Sequence, residues 1–432
     1  MMQLLKISKN QRFFVRENGT PVFWLGDTVW ELFHKMSREE VVFYLNKRRE
    51  QQFNVIQAVI LAESDDLSTG NFYGRLPLLK DEKGNYDPTS PDCDGDYSYW
   101  DHVDWIIKQA QERGIYVAVL PTWGDKFNRV EGSGPEIFRH DNAEAYGRWL
   151  GARYSEEPNI IWVLGGDRPL DTPEHLAVIE AMARGLRAGD GGRHLMTFHP
   201  YGGQTSSEKL HNKDWLDFNM IQSGHGKLNF GNYQMLLADR LLIPAKPVLD
   251  GEPRYEDHPV GFDPQNGFFD DYDTRQAAYW AALSGTCGHT YGHHSVWNLC
   301  TKPEDYFVMD WKFALDRPGA WQMQYLRKLM ESHNLLELEP DQSILARNAK
   351  GACYQPAARG KAYAYIYSPC GLPVYIKGGV LPGKLLKASW YDPRNGQLHP
   401  IADLKNSGEH RIPAPSSGRS EDWVLVLESM EQ

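Results

Sequence analysis

The sequence predicts an α/β protein, a (β/α)8 TIM barrel followed by a small C-terminal antiparallel β-sandwich, on three observations. Eight short apolar, β-rich runs recur through the first 300 residues. Helical patterns lie between most of them. After about residue 335 the helical patterning stops and short β-like pieces take over. Strands alternating with helices imply a parallel sheet, and eight of them match the repeat of an α/β barrel. A doubly wound sheet is the alternative, but no GxGxxG follows the first strand and there is no P-loop. A length of 432 residues suggests about three domains on average domain size. A barrel over 1–335 and a sandwich over 336–432 account for the chain with two.

In order, the strand segments are Val22–Gly26, Asn54–Leu61, Ile115–Leu120 and Asn159–Leu164, then Leu195–Phe198, Phe218–Gln222, Pro247–Leu249 and Gly288–Tyr291. Several are apolar on both faces, as buried parallel strands are. Between them, Ser37-Arg38-Glu39-Glu40 is a capping box that opens a helix toward Gln51. Tyr99–Arg113 sets Val103, Ile106, Ile107 and Ala110 on one stripe, with Gly114 as its stop. Asp141 opens a helix that ends near Tyr154, and Thr172-Pro173 opens another with proline at the first helical position. Asn232–Leu242 and Thr274–Leu283 supply two more. In the tail, Lys361–Tyr367, Val374–Ile376, Lys387–Tyr391 and Trp423–Leu427 read as strands separated by turns such as Asp392-Pro393-Arg394-Asn395-Gly396.

Composition narrows the function. The net charge of −11, from 46 basic and 57 acidic residues, argues against nucleic-acid binding, which needs a basic face. No run of about 18 apolar residues is present, so no transmembrane helix is expected. The first residues lack a secretory h-region, which makes a cytoplasmic location the expectation. The five cysteines are odd in number and form no CxxC, so neither a disulfide framework nor a zinc ribbon is indicated. There are 14 Trp, 22 Tyr and 17 Phe residues. So many rings serve either a large core or a cleft paved for sugar rings.

In a barrel enzyme the chemistry gathers at the C-terminal ends of the strands. Here those ends carry Asp27 and Trp30, Glu63, Trp123, Asp167, His199, Gln222 and His225, Glu252, and finally His294 and Trp297. The opposite ends carry ordinary residues such as Pro21, Asn54 and Pro158. Asp167 and Glu252 each follow an apolar strand and one or two glycines. Two carboxylates facing each other across an aromatic cleft are the parts of a glycosidase, provided that one is protonated while the other stays ionised. Asp167 could instead cap a helix or pair with Arg168, and Glu252 could pair with Arg254. His199, His225 and His294 suit hydrogen bonds to sugar hydroxyls or to the carboxylates. Trp30, Trp123 and Trp297 suit stacking walls or core, and Asp27 suits a hydroxyl anchor or a turn cap. His293-His294 near His289 raises the possibility of a metal-dependent hydrolase. However, no HExxH is present and no HxH follows the first strand, so no metal and no other cofactor is expected.

Val22–Trp30 (VFWLGDTVW), Trp162–Asp167 (WVLGGD), Asp250–Pro253 (DGEP) and Trp390–Gly396 (WYDPRNG) together resemble the apiosidase-like family, glycoside hydrolase family 140, whose barrel adjoins a domain named for collagen binding. The resemblance spans nearly the whole chain. It implies a barrel of the retaining clan, with the acid/base at Asp167 and the nucleophile at Glu252. The wider clan has Asn-Glu where this chain has Gly166-Asp167, and the apiosidase-like group shares the departure. The expectation is therefore a retaining, exo-acting glycosidase for plant-derived oligosaccharides or glycosides, with carboxyl groups about 5–5.5 Å apart. Its partner is a carbohydrate, with neither nucleic acid nor membrane. A non-catalytic carbohydrate-binding barrel and a metal-dependent hydrolase are the alternatives. The residues give the collagen-binding name of the tail no support.

Overall fold

The computed structural model describes residues 2–62, 67–130, 132 and 134–430. Eight of its strands lie in two parallel sheets: β1 (Trp24–Thr28), β2 (Val55–Val59), β3 (Tyr116–Leu120), β4 (Ile160–Gly165), β5 (Met196–His199), β6 (Asn219–Ile221), β7 (Val248–Asp250) and β8 (Gly288–Tyr291). Six form one parallel sheet in the order β5-β4-β3-β2-β1-β8, and β6 pairs with β7 in a second. Backbone bonds cross both gaps between these sheets. Asp217 N–H donates to Met196 O at 2.8 Å, and Cys287 N–H donates to Val248 O at 3.0 Å. The result is an α/β barrel-type domain. β2, β3 and β4 are buried at every residue, which is why, Gln57 aside, their sequences read as apolar runs.

The intervening helices start where capping chemistry places them. Ser37 and Glu40 bond each other's backbone N–H groups to open α1 (Arg38–Glu50), and Ser98 with Asp101 does the same for α2 (Tyr99–Glu112). In α3 (His140–Arg153) and α4 (Pro173–Asp190), glycines allow close helix packing. A Cβ on Gly151 would lie 2.5 Å from Leu186 O, and one on Gly185 would lie 2.2 Å from Glu144 O. α5 (Tyr233–Arg240), α6 (Asp271–Ala282) and α7 (Pro318–Met330) follow. Among the described residues no helix is long and apolar enough to cross a membrane.

One boundary departs from the expectation. Pro21–Val22 belongs to a small antiparallel sheet, with Val22 opposite Phe14. The first barrel strand begins at Trp24, so Asp27 lies inside it rather than beyond its end. A short hairpin, Leu78–Lys80 with Tyr86–Pro91, fills the long connection after β2.

The C-terminal region holds two antiparallel sheets, one of seven strands and one of three. The central strands of the larger are β9 (Tyr363–Ser368), β10 (Leu385–Tyr391) and β11 (Trp423–Met430). Alternation sorts their side chains. Ala364, Ile366, Leu425 and Leu427 face the core between the two sheets. Tyr363, Tyr365, Tyr367, Val424 and Val426 join the barrel's own core on the other side. The larger sheet is thus covered on both faces.

Candidate active site

The C-terminal strand ends open into a cleft of about 1020 Å³ lined by Trp30, Trp123, Asp167, Gln222, His225, Glu252 and Trp297, among others. These seven were expected at this face. Glu252 stands two residues beyond β7, and the rear of that turn is fixed by polar bonds. Gln57 Nε2 donates to Gly251 O at 2.9 Å. Asp250 accepts from Ser223 Oγ at 2.8 Å and from Asn232 Nδ2 at 2.9 Å. Gly224 N–H donates to Glu252 O at 2.9 Å, so the turns after β6 and β7 hold one another.

Both oxygens of the Glu252 carboxylate are engaged. His199 Nε2 lies 3.0 Å from Oε2, and His225 Nε2 lies 3.0 Å from Oε1. Glu252 is 6% exposed. Burial pushes its ionisation upward, but the bonds and charge of the two imidazoles outweigh it and hold the carboxyl at about 2.

Asp167 reaches the cleft through an unusual backbone. Gly165, Gly166 and Asp167 all have positive φ, at 92°, 111° and 52°. A Cβ on Gly165 would sit 2.5 Å from His199 O, and one on Gly166 would sit 2.9 Å from both Gly124 N and Trp123 Cε3. Glycine is required at both, and a non-glycine residue in the left-handed region marks strain held for a purpose. Arg168 Nη1 donates to Asp167 O at 2.6 Å and fixes the turn. Burial, and then the charge of Glu252, push the Asp167 carboxyl up to about 6.

The aromatic walls frame these groups. Trp30 packs against Trp123 with ring centroids 5.2 Å apart, and edge-on to His199 at 5.5 Å. His199 therefore sits behind Glu252, walled in by two indoles and completely buried. On the other side His225 stacks on His258 at 4.1 Å.

Two expected residues are placed elsewhere. Asp27 is fully buried in an ion pair with Arg48 Nε at 2.6 Å and accepts from Tyr44 Oη at 2.6 Å. It points at the helix layer, and its reading as a hydroxyl anchor is corrected by the later start of β1. His294 is also fully buried. It accepts from Trp297 Nε1 at 3.2 Å and stacks on Phe307 at 4.4 Å, so it braces the cleft wall rather than facing the cleft. Burial, then His225 and His293, push its ionisation down to about 3. Glu63 lies outside the described residues. Among the described residues no group of three or more His, Cys, Asp or Glu side chains could hold a metal ion. The imidazoles of His225, His258 and His294 contact one another through their rings instead.

The sequence reading missed Tyr255, His258, Tyr306 and Phe307, all cleft-lining. Tyr255 and His258 lie within six residues of Glu252, and that proximity was a usable signal. Tyr306 and Phe307 sit in an aperiodic loop that offers none.

The chain matches the family described as "Apiosidase-like, catalytic domain" over residues 8–337. It also matches the one described as "Putative collagen-binding domain of a collagenase" over residues 340–428. A solved structure named "Glycoside hydrolase" is 34% identical, with a TM-score of 0.90, covering 100% of this chain and 98% of that one. A glycoside hydrolase family 5 structure from Bacteroides vulgatus ATCC 8482 is 33% identical, also with a TM-score of 0.90, covering 99% and 95%. No curated protein sequence matches.

Proposed function

The chain belongs to the apiosidase-like family, and on that premise we propose that it is a retaining glycoside hydrolase with Glu252 as nucleophile and Asp167 as acid/base. The observation that carries this reading is that two carboxyl groups line one cleft in unlike surroundings, Glu252 between two imidazoles and Asp167 near the Glu252 charge. Asp167 is held up at about 6 and Glu252 down at about 2, so in mildly acidic solution one can give a proton while the other attacks.

In the first step a Glu252 oxygen bonds to the anomeric carbon while Asp167 passes its proton to the departing glycosidic oxygen. The charge on Glu252 is consumed in the glycosyl ester. Because that charge helps to raise Asp167, its loss makes Asp167 more acidic. Asp167 then suits its second task, which is to take a proton from the water that releases the sugar. His199 and His225 stabilise Glu252 as a leaving carboxylate at that stage.

The proposal includes a catalytic unit of 1–335 with its eight strands closed into one barrel, and a C-terminal unit of 336–432. The backbone bonds between β5 and the approach to β6, and between β7 and the approach to β8, support closure. Cleavage is exo-acting on oligosaccharides or glycosides, and the family's name makes terminal apiosides the first substrates to try. The test is product analysis on apiosides, rhamnogalacturonan fragments and aryl glycosides. Proton NMR of the first-formed anomer should show retention. Glu252→Gln should abolish turnover while circular dichroism stays unchanged. Near-normal activity in that variant, or an inverted first product, overturns the assignment.

A further inference from the structure

One end of the C-terminal sheet brings together two of the five free cysteines. The strand Ala357–Arg359 runs antiparallel to β9, with Ala357 opposite Ile366 and Arg359 opposite Ala364. The pairing continues beyond the strand. Tyr367 N–H donates to Pro356 O at 3.1 Å, and Gln355 Nε2 donates to Ser368 Oγ at 3.1 Å. Past Gln355 and Ser368 the pairing gives way to two turns, Gly351–Cys353 and Ser368–Gly371, which carry Cys353 and Cys370 to the same end of the sheet. The Cys353 thiol is near enough to Cys370 to bear on its ionisation. Cys370 Sγ also lies 3.7 Å from the carbonyl oxygen of Ala352, the neighbour of Cys353. Both residues are half-buried, within reach of a small reagent.

We propose that Cys353 and Cys370 are a disulfide-forming pair that exchanges with a small-molecule disulfide of the glutathione class. The Cys353 thiolate attacks one sulfur of the reagent, whose S–S bond breaks and releases one thiol. Cys370 then gives its proton to solvent, and its sulfur displaces the second reagent thiol from Cys353. The protein loses two hydrogens and one reagent disulfide becomes two thiols. The order follows from the surroundings of Cys370. Burial, and then the hydrogen bond and charge of Cys353, push its thiol up to about 12. It is therefore a poor first nucleophile, and capping Cys353 removes part of what holds it up.

The bond would fasten the edge of the sheet where it meets the barrel. Ala352 O accepts from Gln276 Nε2 at 3.1 Å, and the same amide donates to Asn229 Oδ1 at 3.1 Å, beside cleft-lining Phe230. Tyr354 stacks on Tyr233 at 4.1 Å and accepts from Trp280 Nε1 at 3.0 Å. Neither carboxylate of the cleft takes part, so this inference stands apart from the proposed reaction.

The experiment incubates the full chain with glutathione disulfide, alkylates remaining thiols, digests without reductant and maps peptides by mass spectrometry. The expected result is a Cys353–Cys370 linked peptide, two fewer free thiols, and a Tm several degrees higher that dithiothreitol reverses. Cys353→Ser and Cys370→Ser should give no linked peptide and no Tm rise. Alkylation of both cysteines, or a separate glutathione on each, overturns the pairing. A linked peptide with unchanged Tm overturns the fastening role. Should either variant fold poorly, the peptide map of the unmodified sequence still decides.

Discussion

Asp167 and Glu252 bring the same functional group to the same cleft and are held in opposite charge states by what surrounds them. Glu252 has two imidazole partners at 3.0 Å. Asp167 has burial and a negative neighbour. In the proposed reaction the active form pairs a protonated Asp167 with an ionised Glu252. That form is depleted as pH rises through about 6, where Asp167 loses its proton, and is depleted on the acid side only near 2. For a glycoside with a poor leaving group, kcat/KM should therefore fall tenfold per pH unit above about 6, with no acid limb down to about pH 4. Asp167→Asn should lower kcat/KM by about 10²–10⁴-fold and flatten the alkaline limb. A limb that persists unchanged in that variant belongs to another group and removes Asp167 from the role.

At the scale of single elements, the turn after β4 shows what positions this chemistry. Three consecutive positive-φ residues aim Asp167 into the cleft, and packing against Trp123 and Gly124 leaves no room for a Cβ on Gly166. Gly166→Ala should destabilise the fold by about 1–3 kcal/mol and cut kcat/KM by about 10²-fold through displacement of the carboxyl. Urea unfolding and steady-state kinetics measure the two effects. Wild-type kinetics in a folded variant would show that the turn does not set the position of Asp167. The glycines were legible in the sequence because they interrupt an apolar run, whereas their dihedral angles were not. The strands were legible because central parallel strands are apolar throughout, as Ile160–Gly165 is. The start of β1 was misread because Pro21–Val22 is also apolar but pairs with a different strand. That slip placed Asp27 at the mouth when Arg48 holds it inside the wall. His294 lies at a strand end, as expected, but position along the chain does not say which way a ring faces. The nearness of Cys353 and Cys370 is likewise invisible in a sequence, since it depends on how separate segments pack.

For the whole molecule, the seven-stranded sheet behaves as a wall of the barrel rather than as an appendage. Its tyrosine face lies in the same apolar cluster as Trp24, Tyr279 and Met323. A buried ion pair spans the junction. Arg275 in α6 meets Asp422 through Nη2–Oδ1 at 2.8 Å and Nε–Oδ2 at 3.1 Å, and both side chains are fully buried. Tyr367 Oη donates to the same carboxylate at 3.1 Å. Removing Asp422 leaves the buried Arg275 with only the partly exposed Asp271 carboxylate as counter-charge, a loss approaching the roughly 3–5 kcal/mol of a broken buried pair. Asp422→Ala should therefore destabilise the barrel as well as the sheet. If the two regions are one folding unit, calorimetry of the intact chain should show a single transition that moves to lower temperature as a whole in this variant. Loss of activity on heating should follow the same shift, although Asp422 is far along the chain from both cleft carboxylates. Two separate transitions, with only the smaller displaced and activity lost at the wild-type temperature, would mean that the sheet is an independent module. Its covered face would then have to be free in solution to bind something else.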